Sequence, residues 1–261
     1  MVVDAPKLQK LLTAPATPVT PRDLRRDGNV FHVGGELPPQ QTLETLFDSH
    51  CLAPAELFHL SFGVPDTFAN GETMARLIKR NFSAHVLATM GYPAPAPILE
   101  RAYAAGVDIL DIPLTAFGHS DRESRLAALQ NAQTIFPRWS VASSIILGEA
   151  TLESTLAGIN HLLSRGIVPL LQLPSQPNRC GIEEAAAAYN HLATAWQTFK
   201  VTVAPLMPYI NLATPLVQEK QGGPLRGFMD RMRDRRLLAA SDLRRALRVR
   251  QVEESFESAG L

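Results

Sequence analysis

The stretch from residue 98 to residue 177 most constrains the fold, because it holds two successive units of the same kind. Each unit consists of a helix, a glycine, an apolar strand and a polar turn. In the first unit, residues 98–105 predict a short helix, Gly106 predicts its C-terminal cap and residues 107–115 predict a strand. The second unit repeats this order with a helix over 152–165, a cap at Gly166 and a strand over 167–173.

A further strand is predicted between the two units, over residues 138–148. Strands and helices therefore alternate at the spacing of βα units, which predicts a parallel sheet. Upstream, strands are predicted over 29–35, 56–61 and 84–89, with helices over 40–49 and 71–80. Downstream, a helix is predicted over 182–199 and a closing strand over 200–206.

Six or seven parallel strands in an α/β chain predict a full or partial (βα) TIM-type barrel with a C-terminal helical extension. A doubly wound open sheet is the alternative layout. We expect four segments: a Pro-rich irregular lead-in over 1–27, the barrel over 28–212, a linker over 213–227 and an Arg-rich helical tail over 228–261.

Composition limits the classes of function that need to be considered. With 261 residues, 46% of them hydrophobic, the chain can fill one large core. Lys+Arg and Asp+Glu both number 25, so no overall field attracts nucleic acid or anionic lipid, and we expect no specific nucleic acid binding. No apolar run reaches the roughly 20 residues of a membrane span. The first 20 residues lack the features of a signal peptide, so we expect a cytoplasmic protein without a transmembrane segment.

Polar residues at the predicted strand ends are the pool of candidate functional side chains. They are His32, Ser61, Asp66, Thr89, Asp111, Thr115, His119, Ser143, Ser144, Glu149 and Gln172. Among them, His119 with the nearby Asp121 is the candidate catalytic pair for acid–base chemistry. The favoured alternative is structural: Ser120 caps a helix and Glu123 completes a capping box.

Other kinds of site have less support. A metal site would draw on His32, His59, His85 and His119, but His59 and His85 lie in apolar strands where packed histidines are common, and we expect no metal. No serine or cysteine lies in a nucleophile elbow, and no glycine cluster has nucleotide-binding spacing.

Several segments resemble radical S-adenosylmethionine (SAM) proteins of the biotin-synthase-like kind. Residues 142–148, 151–159 and 163–169 are similar to the fifth and sixth strands of that family, 106–117 to the fourth strand, and 59–65 to the second strand and its following loop. The resemblance covers roughly residues 28–177. It implies a partial barrel whose site lies at the C-terminal ends of the strands, with SAM and a 4Fe-4S cluster as the family's cofactors.

The chain departs from the family at the positions that bind the iron–sulfur cluster and SAM. The family binds its cluster through a CxxxCxxC loop after the first strand, but the corresponding residues 31–50 contain no cysteine. The glycine-rich acidic motif after the second strand is reduced to Phe62-Gly63-Val64, without its carboxylate. The resemblance places relict positions of a SAM pocket at Ser61, Gly63, Thr115, Ser144 and Gly148.

Cysteine count strengthens this departure. Only Cys51 and Cys180 are present, so the chain cannot supply three thiolates to an iron–sulfur cluster by itself. Reductive cleavage of SAM requires such a cluster as electron donor. We therefore expect no cofactor and no cluster from this chain alone, with SAM at a degenerate site as the remaining alternative.

Arginines concentrate in the tail, interleaved with apolar residues at helical spacing. The favoured interpretation is a terminal helix that closes the edge or bottom of the barrel and exposes a basic face. The other interpretation is docking on an acidic partner or an anionic surface.

Two hypotheses follow. The first is a pseudoenzyme, a radical-SAM-like barrel kept as a non-catalytic binding, scaffold or accessory protein, with an active radical SAM relative as a candidate partner. The second is an enzyme, either completed by thiolates from a partner or a missing segment, or using different chemistry near His119.

Overall fold

An open seven-stranded sheet forms the centre of the protein in the computed structural model, which describes residues 1–15, 17–114, 119–176, 179–218, 236 and 238–249. In chain order its strands are β2 (Leu24–Asp27), β3 (Val30–Gly34), β4 (Leu57–Ser61), β5 (His85–Thr89), β6 (Ile109–Asp111), β7 (Val141–Ile146) and β8 (Val168–Gln172). A separate two-stranded sheet joins β1 (Val2–Val3) to β9 (Leu216–Val217) in antiparallel orientation.

Helices follow most of the strands. They are α1 (Ala5–Thr13), α2 (Pro39–Leu52), α3 (Phe68–Asn81), α4 (Ala96–Ala105), α5 (His119–Ile135), α6 (Leu152–Ser164), α7 (Ile182–Thr198), α8 (Met207–Ala213) and α9 (residues 238–249). Short 3-10 helices precede α3 at Pro65–Thr67 and α8 at Ala204–Leu206. In the described part of the chain, no helix is both long and apolar enough to cross a membrane.

Strand order in the large sheet follows the order in the chain, from β2 to β8. All neighbours from β3 to β8 pair in parallel, whereas β2 pairs with β3 as an antiparallel hairpin. A doubly wound sheet reverses its strand order at a switch point, so that alternative is wrong. The expectation of an α/β fold is confirmed, and because β2 and β8 are the two edges of an open sheet, a full barrel is not formed.

The two faces of the sheet contribute to different cores. Side chains alternate along each strand, so one face packs against α2 to α5 through residues such as Phe58, Leu60, Val86 and Leu110. The opposite face, here called the inner face, carries Leu57, Leu87 and Ile109 and packs against α8. This second core continues around the β8 edge to α1, α6 and α7.

The predicted closing strand over 200–206 is wrong. The chain instead forms the 3-10 helix at Ala204–Leu206 and then α8, and both begin with a proline in their first turn. Proline has no N–H to donate to a strand ladder but fits the first turn of a helix, so Pro205 and Pro208 favour this outcome. Helix α8 consequently packs on the inner face, with Leu206, Tyr209 and Ile210 buried there.

The expectation of an irregular lead-in over 1–27 also needs correction. Residues Ala5–Thr13 form α1, whose first turn is capped by Asp4 through a 2.9 Å hydrogen bond from the Lys7 N–H. Residues Leu24–Asp27 form the edge strand β2. Prolines in this segment lie between or at the start of these elements, where they do not interrupt hydrogen bonding.

Within the predicted linker over 213–227, β9 pairs with β1, and residues 219–227 lie outside the described part. Within the tail, α9 packs at the N-terminal end of the strands. Its Arg245 donates to Asp108 at 2.7 Å, and Lys79 of α3 donates to the same carboxylate at 2.9 Å. Such placement agrees with the interpretation of the tail as a helix that covers the bottom of the sheet.

Candidate functional site on the inner face

Polar side chains line the inner face where the parallel strands end. The pairing register places Ser61 of β4 beside Thr89 of β5, and Thr89 beside Asp111 of β6. All three lie at the carboxyl ends of their strands and point to the same face, because paired residues in neighbouring strands share a face. In α/β sheets this end of the strands is where ligands bind.

Asp111 is the centre of this group. Its Oδ1 accepts a 2.8 Å hydrogen bond from the Ser144 backbone N–H, and its Oδ2 accepts one of 2.8 Å from the Ser144 hydroxyl. The Thr89 hydroxyl donates to Oδ2 over a longer 3.4 Å. Asp111 is 3% exposed, and no positively charged side chain pairs with it among the described residues.

The network extends to both sides of Asp111. On one side, Thr89 Oγ1 is hydrogen-bonded to His59 Nε2 at 2.8 Å. On the other side, the Gln172 amide donates to Ser144 Oγ at 3.0 Å and to the Tyr209 hydroxyl at 3.3 Å. The Tyr209 ring lies edge-on to the His59 ring with centroids 5.2 Å apart. The two ends of the network, His59 and Tyr209, are therefore in contact.

Burial determines the protonation of these groups. It raises the pKa of Asp111 to about 6, although the hydrogen bonds from Ser144 and Thr89 oppose this shift. Burial also lowers the pKa of His59 to about 3, with smaller contributions from His32 and Arg25. At neutral pH the network therefore combines a largely ionised carboxylate with a neutral imidazole.

A second polar group adjoins the network at the β2–β3 hairpin. Arg25 lies directly opposite His32 in the ladder, and Asp27 Oδ2 is 3.2 Å from both Arg25 Nε and His32 Nε2. The rings of His32 and His59 are neighbours, with centroids 5.5 Å apart. Burial and the Arg25 charge lower the pKa of His32 to about 4, so this imidazole is also neutral at pH 7.

Several predicted candidates are brought together here, and others are not. Thr89, Asp111, Ser144 and Gln172 form the network, and Ser61 lies beside it. The Ser143 hydroxyl instead donates to the Ile112 carbonyl at 2.8 Å. Elsewhere, two further candidates from the pool are exposed: Asp66 in a 3-10 helix and Glu149 in the turn after β7.

Of the predicted acid–base pair, the structure describes only the side chain of Asp121, and the pair stays a prediction. Its carboxylate accepts a 3.1 Å ion-paired hydrogen bond from Arg125 of the same helix, as a helix-stabilising residue would. The side chains of His119 and Ser120, and the whole of Thr115, lie outside the described part of the chain. Helix α5 begins at His119, near the start that the capping pattern predicts.

Two glycines that the resemblance assigned to the SAM pocket have backbone conformations that the fold requires in the absence of any ligand. Gly63 and Gly148 both have positive φ angles, of 72° and 77°. A Cβ added at Gly148 would lie 2.3 Å from the Arg179 carbonyl oxygen, so the backbone after β8 already makes the close approach that a glycine allows here.

Neither the two cysteines nor the segment after β3 provides a set of ligands for an iron–sulfur cluster. Cys51 is exposed near the end of α2, and Cys180 is buried just before α7. The segment that follows β3 offers Glu36 but no thiol, and Glu36 pairs with Arg22. Across the described ranges, no group of three or more His, Cys, Asp or Glu side chains has an arrangement suited to a metal ion.

Sequence reasoning missed Tyr209. The segment that carries it was predicted to follow a closing strand, and nothing in the sequence indicates that this helix lies on the inner face. The run Ala204-Pro-Leu-Met-Pro208 is the one available signal, because two prolines at this spacing argue against a strand and for helix starts.

Comparison with known proteins adds no relationship to these observations. No family model matches the chain, and no curated protein matches it either.

Proposed function

We propose that this protein is a non-catalytic binding or scaffold protein, built on a partial (βα) barrel of the radical-SAM-like kind without cluster ligands. In this proposal it acts as an accessory to a partner, for which an active radical SAM enzyme is the candidate. Sequential order of parallel strands and helices packed on the outer face are what such a partial barrel requires.

One observation carries the proposal: the carboxyl ends of the strands are occupied by the protein's own groups. Asp111, Ser144 and Gln172 satisfy one another through hydrogen bonds, and Tyr209 from α8 closes the group against His59. A site kept for a ligand would leave such polar groups without partners until the ligand binds, whereas these are joined into one network. Beside the network, His59 Nδ1 and both ring nitrogens of His32 are buried without a hydrogen-bond partner among the described residues.

A second candidate function is acid–base catalysis by Asp111. The raised pKa of about 6 suits proton transfer near neutral pH, and strongly perturbed carboxyl groups cluster at active sites. Thr89 and Gln172 are only partly buried, so the network reaches the edge of the solvent-accessible surface. The same pattern also arises in structural networks, which is why this candidate comes second.

The proposal is tested by anaerobic reconstitution of the purified protein with iron and sulfide, followed by iron analysis and visible spectroscopy. We expect no stable cluster, because the chain lacks three convergent thiolates. Incorporation of one 4Fe-4S cluster per chain would overturn the proposal.

Calorimetric titration with SAM, with S-adenosylhomocysteine as the control and iron absent, separates the two candidates. Each lost charged hydrogen bond to the ligand costs roughly 1.5–3 kcal/mol, so loss of the cluster and the acidic motif should abolish detectable binding. Micromolar binding that disappears in Asp111→Asn would instead favour an enzyme that uses the inner-face network.

A further inference from the structure

One face of helix α9, here called its packed face, contacts the rest of the protein. On that face Leu238 is buried, the Ser241 hydroxyl donates to Asp108 at 2.9 Å, and Arg245 donates to the same carboxylate. Arg248 donates to both carboxylate oxygens of Glu100, at 3.0 and 2.5 Å. These residues recur every three or four positions, so they form one stripe of the helix.

The opposite face of α9, here called its outer face, exposes apolar and positively charged side chains. Leu243 and Leu247, one turn apart, are 62% and 53% exposed. Arg236 and Arg244 are also exposed, and neither forms an ion pair within the part of the chain that the structure describes. The arginines of α9 therefore differ. Arg245 and Arg248 are neutralised by Asp108 and Glu100, whereas Arg244 keeps an unpaired charge in the described part of the chain.

Spacing along the outer face follows the pattern of a helix–helix seam. Exposed residues Ala240, Leu243 and Leu247 of α9 are separated by three and four positions, the spacing of a and d positions in a heptad. In this register Ala240 and Leu247 are a positions and Leu243 is a d position. Arg244 then takes an e position, where a charge faces the partner helix and selects it.

We propose that the outer face of α9 docks an acidic amphipathic helix of another protein. The two leucines would pack between apolar residues of that helix, and Arg244 would pair with a glutamate at the facing g position. This inference rests on the proposed function, because it supplies the partner surface that a scaffold protein needs.

The geometry disfavours two other occupants. In a parallel pair with a second copy of this chain, Arg244 would face Ala239 or Ala246 and gain no ion pair, and in an antiparallel pair it would face another Arg244. Membrane-binding amphipathic helices bury a broad apolar face, whereas the described part of α9 offers two exposed leucines beside a stripe that is fixed to the fold.

The test uses the full-length protein and a labelled synthetic helix with leucine at its a and d positions and glutamate at its e and g positions. Binding is followed by fluorescence anisotropy at low and high salt. We expect binding that weakens with salt, because the exposed charges are screened. Arg244→Glu should weaken it by at least about tenfold, as expected for reversal of a facing charge.

A matched peptide with lysine in place of glutamate provides the rescue. It should bind the Arg244→Glu variant better than it binds the wild type. Leu243→Glu/Leu247→Glu should abolish binding of both peptides while leaving the circular dichroism spectrum and melting temperature unchanged, since both side chains are exposed.

Three results would overturn the inference: no binding of the acidic helix at low salt, equal binding to wild type and Arg244→Glu, or binding only to phosphatidylserine vesicles. Failure of the proposed function is recognised separately, because cluster uptake or SAM binding is measured without any peptide.

Discussion

Ser144 contacts both oxygens of the Asp111 carboxylate, one through its backbone N–H and the other through its hydroxyl, each at 2.8 Å. These two bonds join the carboxyl end of β6 to the middle of β7. They favour the ionised carboxylate, but they do not compensate fully for its removal from water, and its pKa remains raised to about 6. An interaction that fixes the geometry of the inner face therefore leaves that face sensitive to pH.

Replacement of Asp111 by Asn should stabilise the protein at neutral pH. A folded-state pKa of about 6, against 3.8 for an unperturbed aspartate, means that the protonated carboxyl favours folding. That contribution is fully present below pH 3.8 and is lost as pH rises through 6, and roughly two pKa units correspond to roughly 3 kcal/mol. We expect Asp111→Asn to exceed wild type by about 1–3 kcal/mol at pH 7.5, because the amide carries no charge to desolvate.

Urea unfolding of both proteins between pH 4 and pH 8 measures this difference. The gap between them should narrow towards pH 4, where the aspartate is protonated. Asp48→Asn, at an exposed position of α2, is the control and should follow wild type throughout. A gap that does not change with pH would show that Asp111 does not titrate as described.

Removal of the Tyr209 hydroxyl should have a small cost, and removal of the ring a large one. Tyr209→Phe deletes the acceptor for the Gln172 amide, so we expect a loss of about 0.5–1.5 kcal/mol in the free energy of unfolding. Tyr209→Ala leaves a cavity beside His59, and we expect a loss of about 3–5 kcal/mol. Tyr92→Phe is the control for chemical denaturation, since among the described residues its buried hydroxyl has no hydrogen-bond partner.

Alanine at position 148 should destabilise the protein, whereas alanine at position 91 should not. Gly148 has φ of 77° and would place a Cβ 2.3 Å from the Arg179 oxygen, so strain and a backbone clash act together. We expect a loss of at least about 1–3 kcal/mol, the cost of a strained residue. Gly91 has open space around an added Cβ. Equal melting temperatures for both variants would contradict the packing of residue 179 on residue 148.

Replacement of Arg245 should weaken the attachment of α9 to the rest of the protein and lower the free energy of unfolding. Arg245→Met removes one of two cations from the buried Asp108, and Lys79 remains with 2.9 Å between Nζ and Oδ2. Breaking a buried pair on one side costs about 3–5 kcal/mol when no other partner remains, so we expect roughly 2–3 kcal/mol here. Arg248→Met is the comparison, because its pair with Glu100 is partly exposed and should contribute about 1 kcal/mol or less. Similar losses in both variants, measured by urea unfolding, would contradict this division.

Local sequence patterns predicted the repeating part of the fold. Strands made mostly of apolar residues, such as those now seen at Leu57–Ser61 and Val168–Gln172, are buried on both faces along most of their length, and this composition identified them. Helix ends were also predictable where a chemical signal exists. For example, α4 ends at Ala105 with Gly106 as its cap.

Elements whose conformation depends on distant contacts were not predictable in the same way. The edge strand β2 is the charged sequence Leu24-Arg-Arg-Asp27, which has little strand propensity and forms because β3 offers it a ladder. Helix α8 lies on the inner face because the open sheet leaves apolar residues of that face to be covered, which no pattern within α8 reveals.

The candidate site was predictable as a set of strand ends but not as a network. Asp111, Ser144 and Gln172 were chosen because parallel strands end at a common edge, and register then decides which of them meet. The sequence contains no signal for the register between β6 and β7, which are joined by a helix, so the 2.8 Å contacts between Asp111 and Ser144 follow only from the structure.

The pairing of β1 with β9 has a consequence for biosynthesis. Val2 and Val3 lie opposite Val217 and Leu216, and the Asp4 N–H donates to the Pro215 carbonyl at 3.0 Å. On the ribosome Val2 and Val3 are synthesised more than 200 residues before their partners, so β1 stays unpaired while the large sheet forms. Pairing of β1 with β9 is consequently one of the last steps of folding, and during translation β1 remains available to chaperones and proteases.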